Sequence, residues 1–291
     1  MFKNNFWYID HDLKFNFITT LNYLGLLDSL EKTVNFIMKN SQPPFNIMVS
    51  GGIDSQVMLY AWNIYGKNFI PTSVKYNNDL NNHDLITLIE FAKQENISIN
   101  YINFDLLDFY NGKKFQTICH KYKCISPQFA AHLGMIENLE GTCIFGGDRL
   151  FYSGSINFGQ LCYYRASKEM SLIPSFYLHT PELAYSQLYQ IKNENIYEWV
   201  LKVTQDPFNN KNQIKHLLFN AAKIPFVKPV AKYTGFEEVK KYYNKNFYVS
   251  AKQKLKYAGK LGKSNYDLLL RYPFEELYGI PYQIHSKIND I

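Results

Sequence analysis

Asn46-Ile47-Met48-Val49-Ser50-Gly51-Gly52-Ile53-Asp54-Ser55-Gln56-Val57 is the stretch from which the rest of the chain is read. The run Asn46–Val49 follows Pro43–Pro44, which stops any preceding helix, and reads as a short buried strand. A helix is expected from about Asp54, because Val57, Met58, Ala61, Ile64 and Tyr65 recur at helical spacing and Gly66 stands where it should stop. Ser50–Ser55 therefore lies between a strand and a helix, at the carboxyl end of the strand, where open α/β sheets bind their ligands. Two glycines let the backbone turn tightly and come close to a ligand. The N–H groups of the turn and the start of the helix then face an anion, with the hydroxyls of Ser50 and Ser55 beside them. This is the make-up of a phosphate cradle. Asp54 is repelled by phosphate unless a cation lies between them, and Mg²⁺ is the cation expected. The spacing GxxxxGK[ST] is missing from the loop, so a γ-phosphate kinase or motor has no support.

Outward from this loop the chain alternates apolar runs with helical periods, which predicts a parallel sheet with crossover helices. Further strands are expected near Ile70–Tyr76, Ile97–Phe104 and Thr142–Phe145. Helices are expected with Leu85, Leu88, Ile89 and Ala92 on one face, and from Pro127 with Ala130, Leu133, Ile136 and Leu139. Residues 1–45 read as an aromatic strand-like stretch, Phe6 to Phe17, followed by an amphipathic helix carrying Leu26, Leu30, Val34 and Ile37. Beyond about residue 155 the strand signal fades. Thr180-Pro181-Glu182 is a helix start, and Ile196–Val203, Lys211–Ala222 and Gly235–Tyr243 read as further helices. The division expected is a segment 1–45, a nucleotide-binding core 46–155 and a mainly helical region 156–291.

Composition narrows the class. A chain of 291 residues that is 46% hydrophobic and 19% charged buries one substantial core. It has no apolar run of membrane-spanning length and no export-type start, so no membrane partner is expected. Four cysteines without a CxxC pair suggest neither a disulfide scaffold nor a zinc knuckle, and cytoplasmic residence is the expectation. The net charge is +6, and many lysines fall between Lys202 and Lys263 among tyrosines. They read as a solvated face, with a nucleic-acid footprint as the alternative.

Ser50-Gly51-Gly52-Ile53-Asp54-Ser55 resembles the SGGxDS motif of the PP-loop (N-type ATP pyrophosphatase) superfamily. That superfamily includes asparagine, GMP and NAD synthetases and tRNA-modifying sulfurtransferases. The resemblance implies a HUP-like α/β core with a helical C-terminal subdomain. It implies that Ser50, Gly51, Gly52, Asp54 and Ser55 bind ATP with Mg²⁺, that AMP is joined to a substrate oxygen, and that a nucleophile then displaces AMP. Tyr76, ending the second strand, is where such proteins pass near adenine. Gly146-Gly147-Asp148-Arg149-Leu150-Phe151 is similar to the GGDELF segment of asparagine and β-lactam synthetases, departing from it at Arg149. By that likeness Gly146 and Gly147 approach the nucleotide and Asp148 takes Mg²⁺ or orients the second substrate. A C-terminal basic residue stabilises the leaving pyrophosphate in such proteins, and Lys228 and Lys232 are the candidates.

The chain begins Met1-Phe2, without the nucleophilic cysteine of a glutaminase, so an ammonia-donating partner is expected if the product is an amide. A small-molecule carboxylate is the first acceptor. Adenylation of a nucleic-acid base is the alternative, and a catalytically silent nucleotide-binding module is the alternative of another class. His83-Asp84 reads as an N-cap or an acid–base pair. Cys119, His120, Cys124 and His132 have the residue types of a metal site, but their spacing matches no standard pattern.

Overall fold

The computed structural model describes residues 24–124, 127–147, 161–193, 196 and 211–229, together with strands at 2–3, 7–9, 15–17, 155–157 and 285–287. At the N-terminal end, β1 (Phe2–Lys3), β2 (Trp7–Ile9) and β3 (Phe15–Phe17) form an antiparallel three-stranded sheet. There follow α1 (Leu26–Asn40), β4 (Phe45–Met48), α2 (Ile53–Tyr65), β5 (Phe69–Tyr76), α3 (Asn82–Gln94) and β6 (Asn100–Phe104). Then come α4 (Leu106–Asn111), α5 (Lys113–Tyr122), α6 (Pro127–Ile136), β7 (Thr142–Ile144), β8 (Ser155–Asn157), α7 (Leu161–Ala166), β9 (Leu172–Ile173), α8 (Pro181–Asn193) and a helix over Lys211–Ala221. The last described strand is β10 (His285–Lys287), which pairs antiparallel with β8.

Five strands make one all-parallel sheet in the order β6-β5-β4-β7-β9. The architecture is therefore α/β with a Rossmann-like core. Alternation along the strands divides the interior in two. Ile47, Ile144 and Ile173 point into a core built with α1, α2, α3, α8 and the Lys211–Ala221 helix. Cys143, Phe145 and Leu172 point the other way, into a core built with α4, α5, α6 and α7. Helices thus cover both faces of the sheet. From β4 the chain steps outward through β5 to β6, then returns to pair β7 on the other flank of β4. The strand order reverses there, and a crevice opens at the carboxyl edge.

The helices form where apolar spacing predicts, with local differences. Leu26, Leu30, Val34 and Ile37 of α1 are all buried. In α3 the buried stripe is Leu85, Leu88, Phe91 and Ala92, whereas Ile89 is 49% exposed. Phe91 draws the stripe to one side, and residue 89 falls on the opposite rim of the helical wheel. Thr180 caps α8, its Oγ1 accepting from the Leu183 N–H at 3.4 Å. The stretch after β6, for which the sequence reading names no element, folds as α4 and α5. β9 carries the sheet past residue 155, where the sequence suggests that the core ends, and β8 and β10 add strand to a region expected to be mainly helical. The helices expected at Ile196–Val203 and Gly235–Tyr243 lie outside the described residues, apart from Ile196.

Trp62 anchors the first crossover. It is fully buried, with its ring 5.2 Å from Phe45 and 6.0 Å from Phe69, centroid to centroid. Trp62→Ala is expected to lower stability by about 3–5 kcal/mol, because the cavity it leaves lies between two strands and a helix. Ile64→Ala, at a residue of the same helix that is 49% exposed, is expected to change it by no more than about 0.5 kcal/mol. Urea denaturation of both variants, followed by circular dichroism, checks the pair.

Candidate active site

The crevice at the strand-order reversal is a cavity of ≈ 280 Å³. Ser50, Gly52, Asp54 and Ser55 line it from the end of β4 and the start of α2. Tyr76 lines it from the end of β5, and Gly146 and Gly147 from the segment after β7. Residues separated by about a hundred positions in sequence therefore face one space.

The loop is held by its own side chains. Ser50 Oγ accepts from the Gly52 N–H at 3.2 Å and lies 3.2 Å from Ser55 Oγ. The Gly51 N–H donates to Asp84 Oδ1 at 3.1 Å. Asp84 sits in the first turn of α3 and also lines the crevice, and its carboxylate reaches across to the loop. A Cβ on residue 51 would come within 2.2 Å of the Asp84 carbonyl oxygen, so only glycine fits. Gly147 has φ +68°, and a Cβ there would meet the Pro174 carbonyl oxygen at 2.3 Å. Here too glycine is required, in this case by the backbone conformation as well as by space.

Asp54 carries the charge of the loop. Its Oδ2 accepts from Lys215 Nζ at 2.5 Å, across 161 positions, and both side chains are about three-quarters buried. Tyr177 OH donates to the Asp54 carbonyl oxygen at 2.6 Å. Next along α2, Gln56 bonds Val227 in both directions, its Nε2 donating to the carbonyl at 3.0 Å and its Oε1 accepting from the N–H at 2.7 Å. Gln56 Nε2 also donates to the Gly51 carbonyl at 2.8 Å. The segment 211–229 is thus seated on the start of α2 by an ion pair and a two-way amide bond.

The opposite wall is apolar and aromatic. Phe145 and Tyr163 pack with their rings tilted and centroids 4.8 Å apart, and His132 Nδ1 lies 2.5 Å from Tyr163 OH. Burial lowers the His132 pKa from 6.5 to about 4, so its imidazole is neutral at pH 7. Burial, and secondarily the charge of Asp84, raise the Tyr76 phenol far above its ordinary value, so it stays protonated.

Of the residues predicted from sequence, Ser50, Gly52, Asp54, Ser55, Tyr76, Gly146 and Gly147 come together on the crevice, with Gly51 behind them against Asp84. Lys228 does not line it; it is exposed, and its charge helps lower the His216 pKa, after burial. Asp148 and Lys232 lie outside the described residues. Lys215 was not singled out in sequence, where it is one lysine among many. Asp84, which the sequence offers as an N-cap or as half of an acid–base pair, takes the Gly51 N–H, a role its sequence position does not announce. No group of three or more metal-ligating side chains occurs among the described residues, and Cys119, Cys124 and Cys162 lie in the core beneath α5 and α7. Burial pushes the thiols of Cys124 and Cys162 well up. Among the described residues no helix is long and apolar enough to cross a membrane. No protein-family model matches the chain, and no curated protein matches it.

His179, like His132, is lowered by burial from 6.5 to about 4. The unfolded chain takes up these two protons first as pH falls, so the stabilisation is complete above about pH 6.5 and is lost as pH drops toward about 4. The midpoint of thermal unfolding is expected to be nearly flat from pH 8 to 6.5 and to fall steadily below. His179→Gln should flatten part of that slope, as differential scanning fluorimetry across the range would show.

Proposed function

We propose that the chain is an ATP-consuming, adenylating enzyme of the PP-loop type, acting on a small carboxylate in the manner of asparagine synthetases. The observation that carries this reading is the Ser50–Ser55 loop, which sits at the carboxyl end of β4 where the strand order reverses and shares one crevice with Gly146 and Gly147. In this reading the core is HUP-like, and the loop takes the β- and γ-phosphates of ATP on its amides and hydroxyls.

An oxygen of the acceptor carboxylate attacks the α-phosphorus. The bond from that phosphorus to the bridging oxygen breaks, and pyrophosphate leaves with the electron pair. An amine, such as ammonia delivered by a partner protein, then attacks the acyl carbon; AMP departs and the amine gives up a proton, leaving an amide. The chain's part is to hold the reactants in line and to offset charge on the leaving group. Lys215 already reaches the loop, which makes it a stronger candidate for that charge than Lys228.

Mg²⁺ fits the donors present, since Asp54 Oδ2 holds a cation, the Lys215 ammonium, and Asp84 lines the same crevice. When bound, the metal supplies positive charge to the phosphate oxygens. Asp54 would hold it, with Asp148 as the second candidate.

The chain's own bonds favour a second reading. Asp84 and Lys215 engage the two groups on which phosphate and metal would act, as suits a nucleotide-binding module that turns nothing over. Pyrophosphate release from ATP and Mg²⁺, measured with pools of carboxylates and of nucleic acid, separates the possibilities. The expected result is release that requires the carboxylate pool, is abolished in Asp54→Ala and is lowered at least about tenfold in Lys215→Met, as for loss of one charge-stabilising donor. Lys228→Met should change it less than Lys215→Met. Release that requires nucleic acid would assign a base-modifying enzyme, and ATP binding without release would assign the module.

A further inference from the structure

We infer that Gln56 is a positioning residue: its side-chain amide seats the exit of the Lys211–Ala221 helix and thereby holds the Lys215 ammonium at the phosphate loop. The inference rests on the proposed ATP site and adds to it the group that places its lysine.

Gln56 is fully buried in the first turn of α2. A buried amide is costly unless its donors and acceptor are matched. Here main-chain groups match them. Nε2 donates to the Gly51 carbonyl at 2.8 Å and to the Val227 carbonyl at 3.0 Å, and Oε1 accepts from the Val227 N–H at 2.7 Å. The side chain thus joins the loop to a segment 171 positions away, pairing with Val227 much as a neighbouring strand would. Glutamine suits this task. Glutamate has no amide hydrogens to give the two carbonyls, asparagine is one methylene shorter, and methionine has the length without the polar atoms.

Val227 is linked to Lys215 by a fixed path. The Lys211–Ala221 helix is followed by Lys223 at φ +55°, with the Lys223 N–H donating to the Asn220 carbonyl and the Ile224 N–H to the Phe219 carbonyl, each at 2.9 Å. That is the Schellman arrangement, and Phe219 and Ile224 are buried in one core, as it favours. Phe226 then packs its ring 5.3 Å from that of His216, centroid to centroid. The chain leaving the helix is set against the helix itself, so holding Val227 holds Lys215. Asp54 and Gln56 stand two positions apart and project from different sides of α2. The ion pair at one and the amide at the other therefore fix orientation as well as distance. An ion pair between two partly exposed side chains does not by itself keep a lysine in one place.

The test uses the full-length chain with Gln56→Met, Val227→Pro and Lys215→Met, checked for folding by circular dichroism. Val227→Pro removes the N–H that Gln56 accepts and leaves the bond to Gly51, so it separates the seating of the lysine from support of the loop. Competitive acetylation with acetic anhydride, read by mass spectrometry against the exposed Lys39, should show Lys215 labelled about tenfold faster in Gln56→Met and Val227→Pro, the factor for about one net hydrogen bond. By calorimetry, each of Val227→Pro and Lys215→Met should weaken binding of pyrophosphate with Mg²⁺, and the double variant should bind as Lys215→Met does. In the wild type, where no variant can misfold, saturating pyrophosphate and Mg²⁺ should slow hydrogen exchange of the Val227 amide. Unchanged Lys215 labelling in folded Gln56→Met, affinity losses that multiply in the double variant, or Val227 exchange indifferent to bound pyrophosphate would each overturn the inference and leave the ATP site standing. Failure of the wild type to bind ATP or pyrophosphate would instead overturn the proposed function, while the labelling would still decide whether Gln56 seats Lys215.

Discussion

The backbone at Gly51 runs so close to α3 that a side chain of even one carbon would stand 2.2 Å from the Asp84 carbonyl oxygen. That approach ties together the end of β4, the start of α2 and the first turn of α3, and the Gly51 N–H donating to Asp84 Oδ1 fixes its direction. The position of α3 is set in turn by Leu85, Leu88 and Phe91 in the core, and by Asn81, whose amide clamps the turn leaving β5. Core packing is thereby carried into the shape of a surface loop. Gly147 repeats the device on the other flank of the crevice, where a positive φ lets the chain pass against Pro174 and Ser175 beyond β9.

Charge at the crevice is arranged around the opening of α2, whose N-terminus favours an anion. Asp54 and Asp84 introduce the opposite preference, and Lys215 answers Asp54 directly. This lysine comes from a helix far along the chain, whose exit is held to α2 by Gln56 and Val227. The segment 211–229 is thus part of the site's construction, and the loop alone does not define its electrostatics. Facing this charged end is an aromatic wall in which burial keeps His132 neutral and Tyr76 protonated.

What was legible in the sequence was local. β4, the Ser50–Ser55 turn and α2 are consecutive, and their apolar runs, glycines and helical spacing announce them. β5, β6 and β7 are likewise continuous runs, so the parallel sheet could be read with small shifts at the ends. β9 could not, because Leu172–Ile173 is too short for alternation to register and owes its place to pairing with β7. The residues that set charge at the loop escaped for a related reason. Asp84 resembles any acid in a first helical turn, and Lys215 any lysine on a surface helix. Contacts across 33 and 161 positions give them their roles.

The claim on which the account turns is cleavage of ATP between its α- and β-phosphates, and exchange of labelled pyrophosphate into ATP tests it most directly. With Mg²⁺ and the acceptor carboxylate present and no amine, the account predicts that radiolabelled pyrophosphate enters ATP, that the exchange requires the acceptor, and that Asp54→Ala abolishes it. Formation of ADP and inorganic phosphate under the same conditions, with no label in ATP, would contradict it.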